Sequence, residues 1–217
     1  MSERKVRVWD LPVRLFHWAT VALVAVLWAS ERWNWMGLHV AAGTTLLALV
    51  LFRVLWGLVG SETARFARFL RGPRAAWRHL REVAAGAPDH AVGHNQAGGW
   101  MVVALLALLG TECLIGVFVN NDVADVGPFT NIAPAWVMNL ATDLHWWLFQ
   151  ALIAAVALHL AAIALYAARG QNLVGPMLTG RKRLPEDVPA PRMAGLGRAA
   201  VLAALAAAAA LAVLWYG

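Results

Sequence analysis

The feature that most limits what this chain can fold into is a set of five apolar runs: Val13 to Ala29, Leu38 to Val59, Trp100 to Val119, Leu144 to Ala168 and Leu196 to Tyr216. Each approaches or exceeds the roughly 20 residues that cross a hydrocarbon core of about 30 Å. Lipid offers no water to satisfy peptide groups, so an open-chain segment crosses it only as a helix. Apolar residues run all the way round these segments, where a soluble helix would keep a polar face. With 61% of residues hydrophobic and 14% charged, an ordinary soluble domain is excluded, and the expected class is an all-α membrane protein. Arg14 and His17 interrupt the first run, so it reads as a permanent helix and not as a signal peptide ending near Ala29 and Ser30.

A net charge of +6 would point to nucleic acid in a soluble protein. Here the cations sit in the connecting segments, where they encode membrane topology, and nucleic-acid binding is not expected. Arg4, Lys5, Arg7 and Arg14 precede or open the first span; Arg65, Arg68, Arg71, Arg74, Arg78 and Arg81 follow the second; Arg169, Arg181, Lys182 and Arg183 follow the fourth. The loop from Asn120 to Asp143 has no Lys or Arg but carries Asp122, Asp125 and Asp143. Alternating spans put the three basic segments on the cytoplasmic side, with the acidic loop and the C-terminus outside. That loop suits a basic soluble partner. The Arg65 to Arg81 segment, with Phe66, Phe69 and Trp77, reads either as a helix along the lipid headgroups or as a solvated loop. The fifth span, nearly all Ala, Leu and Val from Ala199 to Val213 and ending in Trp215 and Tyr216, reads as a packing or docking helix.

Four histidines lie inside spans. His145 and His159 are fourteen residues apart, about 21 Å of helix and about 40° short of four turns, so they share a face at two depths. His17 sits near the cytoplasmic edge of the first span and His39 near the outer edge of the second. Depth therefore pairs His17 with His159 and His39 with His145. An unpartnered imidazole in hydrocarbon costs a few kcal/mol, and ionisable groups in spans mark functional sites. Hydrogen bonding between helices would account for any one of the four. Two pairs at two depths fit zinc poorly, since zinc gathers four ligands at one point. They fit bis-imidazole haem iron held between helices of a bundle. The single Cys113 lies in an apolar run without a CxxCH motif, so side-chain ligands alone would hold such haems.

Other polar residues leave alternatives. Arg14 and Arg53 lie at inner depths, where they would pair with haem propionates or snorkel to headgroups. His94, in GHNQAGGW, would meet a quinone headgroup or a propionate, or stand as a surface ring. His79 and His90 read as solvated. Glu112 is the one acidic residue well inside a span; it reads as a proton carrier or a protonated hydrogen-bonding group and takes no assigned role.

The segments VWDLPVRLFHW (8–18), RVLWGLVGSETARF (53–66), GHNQAGGW (93–100), the His145 and His159 pair, and MLTGRKR (177–183) together resemble the bacterial cytochrome b561 family, in particular the branch shared with the cytochrome b subunit of nickel-iron hydrogenases. The resemblance implies a four-helix transmembrane bundle holding two b haems over residues 1–183, with 184–217 as a linker and an additional C-terminal transmembrane helix. By position it implies His17 and His159 as ligands of the inner haem, and His39 and His145 of the outer. It implies a multi-pass protein of the bacterial inner membrane with its C-terminus in the periplasm. Electrons would pass between the membrane quinone pool and a periplasmic c-type cytochrome or redox enzyme subunit. A different reading within the family is a superoxide oxidase, reducing quinone on the inner side; the acidic outer loop would repel superoxide. A non-redox transporter or scaffold, with histidines carrying protons or metal, is the reading from another class.

Overall fold

A computed structural model describes residues 2–86, 91–120 and 127–216. His90, Asp122 and Asp125 lie outside the described residues. Strand β1 (Glu3–Arg7) precedes α1 (Leu11–Arg32) and α2 (Met36–Val59); short helices α3 (Phe66–Phe69) and α4 (Pro73–Ala84) lead to α5 (Gln96–Gly116) and α6 (Ala135–Ala168). Helix α7 (Val174–Thr179), strand β2 (Arg181–Pro185) and α8 (Leu196–Tyr216) complete the order. Among the described residues, α1, α2, α5, α6 and α8 are long and apolar enough to cross a membrane; each coincides with one of the five apolar runs, except that α5 ends at Gly116, three residues short of the expected Val119.

The helix ends differ from the apolar boundaries because caps, not hydropathy, set them. Helix α1 begins at Leu11, where the Asp10 carboxylate accepts the Val13 N–H at 2.8 Å, an N-cap that satisfies an otherwise orphaned donor. Asn95 does the same for α5 through the Gly98 N–H at 2.7 Å. Helix α6 starts nine residues before Leu144, at Ala135 after Pro134, and runs for 34 residues. Asn139, Thr142 and Asp143 lower the hydropathy of its first turns without breaking them, since the Thr142 hydroxyl donates back to the Met138 carbonyl at 2.9 Å.

The chain divides into two compact units: Met1–Leu15, Val54–Ala104 and Ala155–Ala199 form the first; Phe16–Arg53, Leu105–Ala154 and Ala200–Gly217 form the second. All three basic segments fall within the first.

In the first unit β1 and β2 pair antiparallel, from Glu3 opposite Pro185 to Arg7 opposite Arg181. Gly180 ends α7 with φ +78°, and its carbonyl accepts the Val8 and Trp9 N–H groups at 2.8 and 3.1 Å. A side chain there would be strained by the left-handed backbone and would put Cβ 2.8 Å from the Trp9 carbonyl oxygen. Thr63 donates to the Val8 carbonyl at 2.6 Å, and a Cβ on Gly93 would meet Thr63 at 3.2 Å and Trp9 at 3.6 Å. The sequence segments around Trp9, Thr63, Gly93 and Gly180 therefore converge on one place.

Beneath it, Trp56 donates its indole N–H to the other Asp10 oxygen at 2.9 Å; Trp56 is 0% and Asp10 4% exposed. Helix α4 resolves the Arg65 to Arg81 segment as helical over most of its length, with Ala76 and Val83 buried and Trp77 65% exposed, the pattern of a helix along an interface. The stretch before α8 is tied down as well: Glu62 accepts the Arg192 N–H at 3.1 Å and Ser61 accepts that of Ala194 at 2.9 Å.

In the second unit Asn34, with φ +56°, lets the chain turn between α1 and α2, and the Trp35 N–H reaches back to the Ser30 carbonyl at 2.7 Å. So tight a turn makes the end of α1 and the start of α2 close neighbours.

Two outcomes follow. Trp56→Phe keeps an aromatic ring but strands a buried carboxylate oxygen, and is expected to destabilise the protein by about 1–3 kcal/mol in detergent unfolding; an unchanged melting curve would contradict the cap-and-lock arrangement. The Arg192 N–H beside Glu62 holds its carboxyl below the ordinary value of 4.5. A depressed carboxyl stabilises above its unfolded pKa and loses that contribution as pH falls through the folded one. Protease cleavage between residues 185 and 195 should accordingly rise on acidification below about 4.5, and Glu62→Gln should remove that acid-dependent step.

Candidate functional site

Helix α6 shields one side more than the other. His145, Leu148, Leu152, Ala155, His159 and Ala162 alternate three and four residues apart on the shielded stripe, while Trp147, Leu158 and Leu160 between them are exposed. Both imidazoles of α6 thus lie on the more shielded side, and the 3.6-residue period puts residues fourteen apart on one face.

In the second unit the structure brings His39 of α2 to His145, with ring centroids 6.4 Å apart and ring planes at 73°. The α1–α2 turn places His39 against the end of α1, where its Nδ1 lies 3.1 Å from the Leu27 carbonyl oxygen and 3.3 Å from the Ser30 hydroxyl. Ser30 is itself 0% exposed and donates to the same carbonyl at 3.0 Å. The carbonyl can only accept, so Nδ1 carries the proton and Nε2 keeps its lone pair. Opposite, His145 Nδ1 lies 3.4 Å from Glu112 Oε1 on α5, and a Cβ at Gly116, one turn further along that helix, would come 3.2 Å from His145 Cε1.

These residues fit a six-coordinate haem iron. Imidazole nitrogens about 2 Å from a shared metal put the ring centres about 6 Å apart. The Nδ1–H held by a carbonyl is the arrangement that orients a ligating histidine through its other nitrogen. Among the described residues no three His, Cys, Asp or Glu side chains converge on a metal position, so the pair stands as two imidazoles and not as part of a closed cluster.

The other expected residues are placed as follows. His17 of α1 is in the second unit, half-buried, its ring 4.8 Å from that of Trp18. His159 is in the first unit. Arg53 is among the most deeply buried side chains, at 2% exposure. His94 is no free surface ring: it sits between Trp9 and Phe69, with centroids 4.5 and 4.7 Å away. The Arg14 guanidinium donates to the carbonyls of Met177 and Leu178 at the end of α7.

Two features were not read from the sequence. His79, expected in solvent, lies 3.2 Å from the hydroxyl of the buried Tyr166, which also accepts from Asn95 at 2.7 Å. Glu112 had no partner in the sequence reading, and the structure gives it His145. Its only sequence signal was an acidic residue inside a span on a helix without histidine.

No curated protein and no solved structure matches the chain. The family model described as prokaryotic cytochrome b561 matches residues 8–180, from the end of β1 to Gly180, and leaves α8 beyond it. Five membrane-length helices, histidines turned inward and a match over most of the chain lead to one conclusion: this chain belongs to the prokaryotic cytochrome b561 family, whose members carry electrons across membranes through b haem.

Proposed function

We propose that the chain conducts electrons across the bacterial inner membrane through two b haems, one ligated by His39 and His145 near the outer side and one by His17 and His159 near the inner side. The observation that carries this reading is the His39 and His145 pair, at ligand spacing and with the Nδ1 of His39 already committed to a carbonyl. The second pair rests on matched depth along the helices. Haem iron supplies a one-electron couple when bound.

The chain's own residues do the rest. The unbroken α6 sets the two ligand positions about 21 Å apart. The helices keep water from the imidazoles, so that burial and ligation set the potentials. Arg53 places a cation at depth for a propionate. His94 and the aromatic rings about it form the inner contact for a quinone headgroup, and Arg14 holds α7 beside them. At the outer side the acidic loop receives a basic periplasmic partner, a c-type cytochrome or a redox enzyme subunit. Residues 1–183 form the conducting bundle, and α8 packs or docks.

Replacing ligands one at a time checks the pairing. His39→Ala and His145→Ala should each lose the same haem, and the double variant no more than either; His17→Ala and His159→Ala should lose the other. Haem content from the pyridine haemochrome spectrum, with reduced-minus-oxidised spectra, reads this directly. Loss of both haems, or of neither, in the His39 and His145 variants would overturn the assignment. Rapid mixing of the oxidised protein with superoxide should leave the haems oxidised on the millisecond scale, because the outer loop offers the anion carboxylates. Fast reduction would instead establish the superoxide oxidase reading.

A further inference from the structure

We propose that Glu112 is a positioning residue for the outer haem: its carboxyl oxygen accepts the Nδ1–H of His145 and thereby sets that ligand's ring plane and the electron density it gives the iron. This rests on His145 being a ligand, as above.

Three observations point to it. Helix α5 carries no histidine, yet it brings Glu112 Oε1 to 3.4 Å from His145 Nδ1, with the two side chains only 13% and 26% exposed. At that distance the contact falls short of a full hydrogen bond. Neither His145 Nδ1 nor Glu112 Oε2 completes a hydrogen bond of ordinary geometry, although His145 also approaches the Glu112 backbone, and buried polar groups rarely stay so. A small ring rotation closes the gap, and Nε2 coordination would hold the ring in place. Finally, Gly116 on the same helix clears the edge of the His145 ring, where any Cβ would press on Cε1 at 3.2 Å. Helix α5 is thus shaped to this imidazole twice, by an acceptor for its nitrogen and by an open place for its carbon edge.

The consequence is an asymmetry between the ligands of one iron. His39 Nδ1 faces the neutral carbonyl of Leu27; His145 Nδ1 has the Glu112 carboxyl at 3.4 Å in addition to the backbone of the same residue. An acceptor at Nδ1 raises the basicity of the ligating nitrogen and favours oxidised iron, and a carboxyl group does so more than a carbonyl when ionised. Oε1 accepts whether or not the other oxygen carries a proton, so the positioning does not depend on that proton.

The test uses the full-length, haem-loaded protein with Glu112→Gln, Glu112→Leu and His145→Ala. Potentiometric titration and low-temperature EPR of the oxidised state are the readouts, the latter because the spectrum of a low-spin ferric haem reports the angle between its ligand planes. Glu112→Gln should keep both haems with near-native EPR and midpoint potentials, because its amide oxygen can accept the same N–H. Glu112→Leu should raise the midpoint potential of one haem and shift the EPR of that haem, leaving the second haem unchanged. Potentials and EPR unmoved in the leucine variant would overturn the proposal, and if that variant does not accumulate, Glu112→Ala, which also removes the acceptor, decides by the same readouts. Should His145→Ala keep both haems, the ligand assignment itself fails; should it lose one while the Glu112 variants change nothing, only the role of Glu112 fails.

Discussion

Hydrocarbon gives a polar group nothing to bond with, and that constraint organises this molecule. The backbone answers it by forming helices, and each polar side chain inside them has to answer it with another part of the protein. Thr44 and Thr45 donate to carbonyls one turn earlier on their own helix, the cheapest solution. An imidazole cannot do that, and His39 reaches instead to Leu27 and Ser30 on the neighbouring helix. The requirement for a partner holds the ring still, and a ring that is held still is what ligation needs. The polar cost and the functional geometry have the same origin.

The first unit shows the same logic. Asp10 is buried, and both of its oxygens are used: one caps α1 and the other takes the indole N–H of Trp56. Around it Val8 and Trp9 are stitched to Gly180 and Thr63, while His94 is packed between Trp9 and Phe69. Residues that look like separate motifs along the chain are one assembly. The family match runs from 8 to 180, and those two end residues meet in the structure, where the Val8 N–H donates to the Gly180 carbonyl.

Much of this was legible in the sequence. Span number, helical character and the shared face of His145 and His159 follow from hydropathy and the rise and turn of a helix, which are local properties. The extra turns of α6 were missed because Asn139, Thr142 and Asp143 are polar although helical, and hydropathy reports solvent preference, not backbone conformation. The two strands were missed because Arg4, Lys5, Arg7, Arg181, Lys182 and Arg183 carry no strand pattern. They pair because the ends of α1 and α7 deliver them side by side.

Amino-acid order alone therefore determined the solvent, the helices and the shared face of His145 and His159, since these depend on residues close together in the chain. Only the tertiary structure decided which group answers which: Leu27 for His39, Tyr166 for His79, Trp56 for Asp10, with Glu112 brought beside His145. Such choices depend on how each helix is rotated about its own axis and slid along it. Contacts between residues far apart in sequence fix both, and no local pattern encodes them.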